Sequence, residues 1–296
     1  MLTLDVQNYM RAVVDRMTTV EGLTPSPVPR VQLVKVSKSF ERRPMIYDPS
    51  IVIVLQGYKM GYTREEVHRY DADRYLVMSL PVPFECEAAA DDEEPYLALS
   101  IDIDIAMLSE LASRLSEFAG ELPPSSGIHS APLTTAIHDA VHRLVRTLES
   151  PREAAVLGPL IVREIVYRVL SEPEGIGLRA VANGDNRFSK MSRILRRIHA
   201  DCAKEINVAE LAKELHMGLS AFHQSFKAIT STSPIQYVKA VRLHKARYLM
   251  AYKGMKASEA AYEVGYMSSS QFNREFKRLF GMTPQQEISR LREQVA

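Results

Sequence analysis

Ser269, Ser270, Gln271, Asn273 and Arg274 crowd together near the end of this 296-residue chain, and Ser220, Ala221, His223 and Gln224 form a comparable group earlier. Side chains of these types suit the edges of base pairs. An arginine fork bonds guanine, and Gln or Asn bonds adenine, directly or through water. Arg274 is the candidate for guanine; Gln224, Gln271 and Asn273 are the candidates for adenine. Lys227, Lys277 and Arg278 are better placed for phosphates, which orient a protein on a duplex without carrying sequence information. Taken singly, each of these residues is most simply a solvated position on a helix. The case therefore rests on what positions them.

What positions them is an internal repeat. Phe222-x-x-x-Phe226-Lys227-x-Ile229, then Ser233-Pro234, returns as Phe272-x-x-x-Phe276-Lys277-x-Leu279, then Thr283-Pro284, with every position offset by 50 residues. Upstream, Ala212 and Leu215 match Ala261 and Val264 at an offset of 49, so the second copy is one residue longer in its turn. Each copy reads as helix, tight turn, helix. In the first, Asn207 caps, with Glu210 as its capping-box partner. Val208, Leu211, Ala212 and Leu215 form the buried face, and His216-Met217-Gly218 makes the turn. In the second, Gly265 permits the turn and Ser268 with Gln271 makes another capping box. Phe222, Phe226 and Ile229, and Phe272, Phe276 and Leu279, bury the second helices and leave the polar sets outside. Ser233-Pro234 and Thr283-Pro284 each start a further helix, with proline at its first position. The helix from Pro234 to about Ala251 would span roughly 27 Å. It is a strut suited to hold two reading helices about one duplex turn, roughly 34 Å, apart.

Charge agrees. From Arg187 to Ala296 there are 19 Lys+Arg against 9 Asp+Glu, a net of +10; residues 1–186 hold 18 against 27, a net of −9. Polarisation of this kind suggests that one half meets a polyanion, although two complementary halves of one protein would also produce it. A composition of 46% hydrophobic and 25% charged residues is that of a soluble globular chain long enough for two domains. The longest strongly apolar run, Ile51 to Leu55, is too short for a membrane span. The start of the chain lacks the pattern of a secretory signal. Cys86 and Cys202 are too few and too distant for a disulfide scaffold, so a cytoplasmic setting is expected.

Upstream of the repeat, an amphipathic stretch from Val6 to Met17 is followed by prolines Pro25, Pro27 and Pro29 that break any helix. Strands are expected from Ser50 to Ile105, with turns at Gln56-Gly57, Asp71 to Asp73 and Asp91 to Glu94. Short strands with acidic turns suggest a small barrel or sandwich. Asp104 should cap a helix through Phe118, Pro132 should begin one to about Glu149, and a third should run from about Arg152 to Leu170. The last two form a hairpin around Ser150-Pro151. The stretch 171–186 is expected as a linker. Met191, Ile194, Leu195, Ile198 and Cys202 mark the apolar face of one more helix.

With these features assembled, Met191 to Arg292 resembles the AraC/XylS family of bacterial regulators. The resemblance is carried by LAKELHMGLSAFHQSFKAITSTSPIQYVKAVRLHKARYLM and AAYEVGYMSSSQFNREFKRLFGMTPQ. It implies two helix-turn-helix units joined by a long helix. It also implies that Ser220, Ala221, His223 and Gln224, and Ser269, Ser270, Gln271, Asn273 and Arg274, hold the base-facing positions. The chain departs from the family in Gly218, where a serine is common, in Gln224, where an arginine is common, and in Thr230-Ser-Thr-Ser233, where a glycine is usual. DPSIVIVLQGYKMGY, YDADRYLVMSLPVPFE, EPYLALSIDIDIAMLSEL and IVREIVYRVL resemble the partner domain of one AraC-type subgroup, which implies a cupin-like β-barrel followed by helices, used for sensing or dimerisation.

The expected fold is therefore α+β. Residues 1–180 form a cupin-like β-barrel with a helical hairpin, and 187–296 form an all-α DNA-binding domain with a first unit at 207–230, a joining helix at 234–251 and a second unit at 256–280. The expected function is a sequence-specific transcription regulator of the activator type, not an enzyme. Its expected partners are double-stranded DNA, RNA polymerase, a small-molecule effector and a second copy of itself, with no membrane and no cofactor. A cupin enzyme would need several histidines beside a carboxylate, and the strand region offers only His68. His138 and His142 have metal-pair spacing on a helix, but no third ligand accompanies them, so no metal is expected. Gln56, Tyr58, Phe84 and Glu85 are the candidates to line an effector pocket.

Overall fold

The computed structural model describes residues 4–63, 66–91, 93–115, 127–183 and 187–295. The chain divides into two compact units. One comprises Met1–Arg42, Tyr47–Leu80 and Cys86–Ser189; the other comprises Arg43–Ile46, Pro81–Glu85 and Lys190–Ala296.

The N-terminal sheet is a curled antiparallel half-barrel. Its strands are β1 (Gly22–Pro25), β2 (Val31–Val36), β3 (Phe40–Ile46), β4 (Ser50–Gln56), β5 (Tyr58–Tyr62), β6 (Val67–Asp71), β7 (Arg74–Met78), β8 (Pro83–Ala89), β9 (Tyr96–Asp102) and β10 (Ile128–Pro132). The order is β1-β2-β9-β4-β7-β6-β5-β8-β3, with β10 paired to β7. Three strands thus precede Ser50, ahead of the span expected from the sequence. Proline explains the difference. Pro25 and Pro44 lie in β1 and β3, the two ends of the strand order, where a missing N–H breaks no ladder bond. Pro132 departs from expectation in the same way. It ends β10 opposite Arg74 rather than starting a helix.

Helix α1 (Leu4–Met17) buries Met10, Val13 and Val14. Asp104 caps α2 (Ile105–Arg114) as expected, accepting from the amides of Ala106 and Met107; Phe118 lies outside the described residues. The helix expected from Pro132 is α3 (Thr135–Thr147), capped instead by Thr134. The single helix expected from Arg152 to Leu170 is two, α4 (Pro151–Val156) and α5 (Gly158–Ser171). Pro159 supplies no amide to continue the first. Gly158 is required because a Cβ there would stand 2.6 Å from the Val28 side chain. The stretch 171–186 holds a 3-10 turn at Pro173–Gly175 and α6 (Ile176–Ala182), whose Leu178, Ala180 and Val181 are buried.

The second unit is helical beyond α7 (Arg187–Ala200). The elements are α8 (Val208–Glu214), α9 (Leu219–Thr230), α10 (Pro234–Tyr252), α11 (Ala257–Glu263), α12 (Ser269–Phe280) and α13 (Pro284–Val295). Met191, Ile194, Leu195, Ile198 and Cys202 are fully buried, as are Phe222, Phe226, Phe272 and Phe276. The two copies repeat their aromatic packing. Phe222 meets Phe226 at 5.7 Å and Phe272 meets Phe276 at 5.5 Å between ring centroids.

Candidate nucleic-acid interface

The second helix of each repeat is set by its own turn. Asn207 caps α8 by accepting from the Ala209 and Glu210 amides, and its side-chain amide also donates to the Glu210 carboxylate at 3.2 Å. Ser268 caps α12 by accepting from the Gln271 amide at 3.3 Å. The Gln271 side chain does not return to close the box; its Nε2 donates to Glu275 at 3.3 Å. Gly218 caps α9 without a side-chain bond. The left-handed positions differ between copies. His216 and Ser231 take positive φ in the first, where Gly265 and Gly281 do so in the second.

On α9, Ser220, Ala221 and Gln224 are exposed and His223 is half-buried, with its ring edge-on to Phe222. On α12, Ser269, Ser270, Gln271, Asn273 and Arg274 are all exposed. Lys227, Lys277 and Arg278 are exposed near the ends of the same helices. The structure therefore leaves each candidate set open on one helix, opposite the buried phenylalanines. The joining helix α10 has 19 residues, or about 28 Å at 1.5 Å per residue.

Three charged groups that read as ordinary solvated positions brace this arrangement. Arg242 on α10 donates from Nε to the Cys202 carbonyl at 2.7 Å and from Nη2 to the Lys204 carbonyl at 3.0 Å, and from Nη1 to the Gly265 carbonyl at 3.2 Å. One guanidinium thus ties the approach to the first unit to the turn of the second. Glu275, buried on the inner side of α12, accepts from Lys239 and from the Tyr266 hydroxyl, each at 2.7 Å. Burial pushes its carboxyl up, but the bonds from Lys239, Tyr266 and Gln271 outweigh that and hold it below the ordinary range. Glu287 on α13 is 1% exposed and pairs with Arg247 at 2.6 Å and Arg290 at 2.7 Å.

His244 on α10 lies edge-on to Phe280 at 5.1 Å. Loss of hydration, then the charges of Arg247 and His199, pull its pKa down to about 3. The unfolded chain, with an ordinary value near 6.5, binds the extra proton first, so acid favours unfolding. Stability of this unit should fall by up to about 1.4 kcal/mol per pH unit as pH drops below about 6.5. Melting curves between pH 7.5 and 5 for wild type and His244→Phe test this; parallel pH profiles would refute it.

The pocket candidates fare differently. Phe84 is buried, as are Cys86 and Ala88, whereas its strand neighbour Glu85 is half-buried on the alternate face. Tyr58 points outward under the Arg69 guanidinium, and the Gln56 amide donates to the Pro95 carbonyl at 3.0 Å. Phe84 is thus the one of the four that is buried. Sequence reasoning misses Lys59, buried beside the rings of Tyr96 at 4.3 Å and Phe40 at 5.7 Å. Strand alternation past exposed Tyr58 is the signal that could find it. His142 packs edge-on to Tyr9. Among the described residues, no cluster of three or more metal-ligating side chains forms, and no helix is long and apolar enough to cross a membrane.

Two helix-turn-helix units on a common strut define a class of DNA-binding regulator, and comparison with known proteins gives its family. Residues 27–176 match the AraC-type transcriptional regulator N-terminus, and residues 211–290 match a helix-turn-helix domain. The chain belongs to the AraC-type transcriptional regulators. It is 28% identical over 147 residues to the HTH-type transcriptional activator RhaS of Escherichia coli O1:K1, covering 49% of this chain and 51% of that one. The chain thus spans about half the length of the curated relatives it matches. Its fold is similar to that of ToxT from Vibrio cholerae. The unsaturated-fatty-acid-bound form has a TM-score of 0.60 at 14% identity, over 87% of this chain and 94% of that one. ToxT from strain O395, bound to a substituted butenoic acid, has a TM-score of 0.63 at 14% identity, over 88% and 98%.

Proposed function

We propose that this protein activates transcription by binding one specific DNA site, with α9 and α12 entering successive major grooves. The observation that carries the reading is the pair of exposed polar sets at repeat-equivalent positions on two helices braced by α10. An α-helix fits the major groove, where the donor and acceptor patterns of base pairs differ, and the preceding helix crosses the backbone. Ser220, Ala221, His223 and Gln224, with Ser269, Ser270, Gln271, Asn273 and Arg274, face the bases; Lys227, Lys277 and Arg278 take phosphates. The protein acts in the cytoplasm, is not an enzyme, and recruits RNA polymerase once bound. Its N-terminal unit takes a small-molecule effector and pairs with a second copy. Exposed Val156 on α4, Leu160 and Tyr167 on α5, and Leu157 between the two helices support the pairing. Leu160→Glu should shift sedimentation toward monomer, and a monomeric wild type would end that part of the reading.

Footprinting of the full-length protein with excess random competitor tests the whole. A discrete protected site of about two duplex turns per protomer is expected; uniform coating would mean nonspecific binding. On that site Arg274→Ala should lose about 1–3 kcal/mol and relax one base position. Lys277→Ala should weaken binding to all sequences alike and lower the salt slope by about one unit. Unchanged base preference in the first variant, or a loss confined to one base in the second, would reverse the assignments.

A further inference from the structure

Helix α7 lies outside both matched stretches, 27–176 and 211–290. It carries Arg187, Lys190, Arg193, Arg196 and Arg197 and no acidic residue. An adjoining face is committed to the core, with Met191, Ile194, Leu195 and Ile198 fully buried. Positions 187, 190, 193 and 197 recur at three and four residues, so they form one stripe along the helix. Arg187 and Arg193 are exposed and Lys190 is half-buried. None of these three makes an ion pair among the described residues, whereas Arg197 reaches Glu214 on α8 at 2.6 Å.

At its N-terminal end the helix itself does not reward this arrangement. Like charges at such spacing repel, and cations in a first helical turn oppose the helix dipole. Loss of hydration and then the Arg193 charge make the Arg196 guanidinium easier to deprotonate than usual. A row of cations held at intrinsic cost suits an external polyanion. The Arg197–Glu214 pair says which one, because it lashes the stripe to α8, the brace that crosses the DNA backbone in a helix-turn-helix complex.

We propose that α7 is a phosphate-binding rail, with Lys190 and Arg193 gripping duplex phosphates that flank the base pairs read by α9. Arg197 acts as a positioning residue through Glu214. The inference rests on the DNA reading proposed above and adds to it a binding surface outside both helix-turn-helix units.

The test uses the full-length double variant Lys190→Gln/Arg193→Gln on the footprinted site. Neither side chain belongs to the core, and a melting curve checks that the variant is folded. The logarithmic salt slope of binding should fall by about two units, near 0.9 for each phosphate left without its cation. Base preference should stay as in wild type, and ethylation interference should vanish at phosphates beyond the first reader. Trimming the duplex on that side should weaken wild type and leave the variant unaffected. An unchanged salt slope on a retained discrete site would overturn the rail while leaving the DNA reading intact. So would an unchanged slope with reduced transcription, which would assign the stripe to an acidic protein surface. If wild type protects no discrete site, the DNA reading fails and the rail with it, an outcome visible before any variant is made.

Discussion

Glu287→Ala should destabilise the second unit by about 3–5 kcal/mol, because it strips the counter-charge from a largely buried guanidinium. Glu287 is 1% exposed, and Arg247, its partner at 2.6 Å, is 11% exposed. The pair joins α13 to α10, so its removal should free α13 first and then expose the aromatic cluster around Phe276 and Phe280. Differential scanning calorimetry of the full chain, with hydrogen exchange to locate the opening, measures this without assuming that two units melt as one. The paired replacement Arg247→Met/Glu287→Leu should recover most of the stability, since exchanging a buried ion pair for apolar side chains is often neutral or better. A single variant that melts like wild type would show that water reaches the pair.

Gly265→Ala should be nearly as damaging. Gly265 has φ of +87° and sits in the turn between α11 and α12, where an added Cβ would lie 2.4 Å from the Ala203 carbonyl oxygen. The left-handed conformation alone costs a side chain about 1–2 kcal/mol. Because the obstructing atom is backbone, relief of the clash adds about 1–3 kcal/mol. Gly281→Ala is the internal control: its φ is +78° but nothing lies within 4 Å of the new Cβ, so it should show the conformational cost only. Equal destabilisation in the two variants, read by calorimetry, would mean that the turn shifts freely. On DNA, Gly265→Ala should also weaken binding, because the turn aims α12.

Much of this organisation is legible in the sequence because repetition reinforces weak local signals. Phe222 and Phe226 alone would be an apolar pair; their return at 272 and 276 with the same Ser/Thr-Pro ending specifies two equivalent units. The caps at Asn207, Ser268 and Asp104 can be read for a similar reason, since a capping residue is adjacent in sequence to the amides it serves. Prolines mislead where they stand at sheet edges, as in β1, β3 and β10, because local propensity does not know which strands lie outermost. Arg242, Glu275 and Glu287 are invisible for a different reason. Each is a charged residue at an unexceptional helical position, and its decisive partner lies on another element. Arg242 and Cys202 are 40 residues apart, as are Glu287 and Arg247. The first copy hides one more feature: Ser231 takes the left-handed position that Gly281 fills in the second. A serine announces that conformation far less clearly than a glycine does.

The Arg242 fork has a mechanical meaning for the DNA. It ties carbonyls before the first unit and in the turn of the second to the one strut, α10. Under the proposed reading the two recognition helices then keep a set phase, and any mismatch with the pitch of straight B-form DNA is taken up by the duplex. Bending a site of this length costs on the order of 1–6 kcal/mol and least at pyrimidine–purine steps. Base pairs between the two half-sites that touch no side chain would therefore still contribute to the choice of operator.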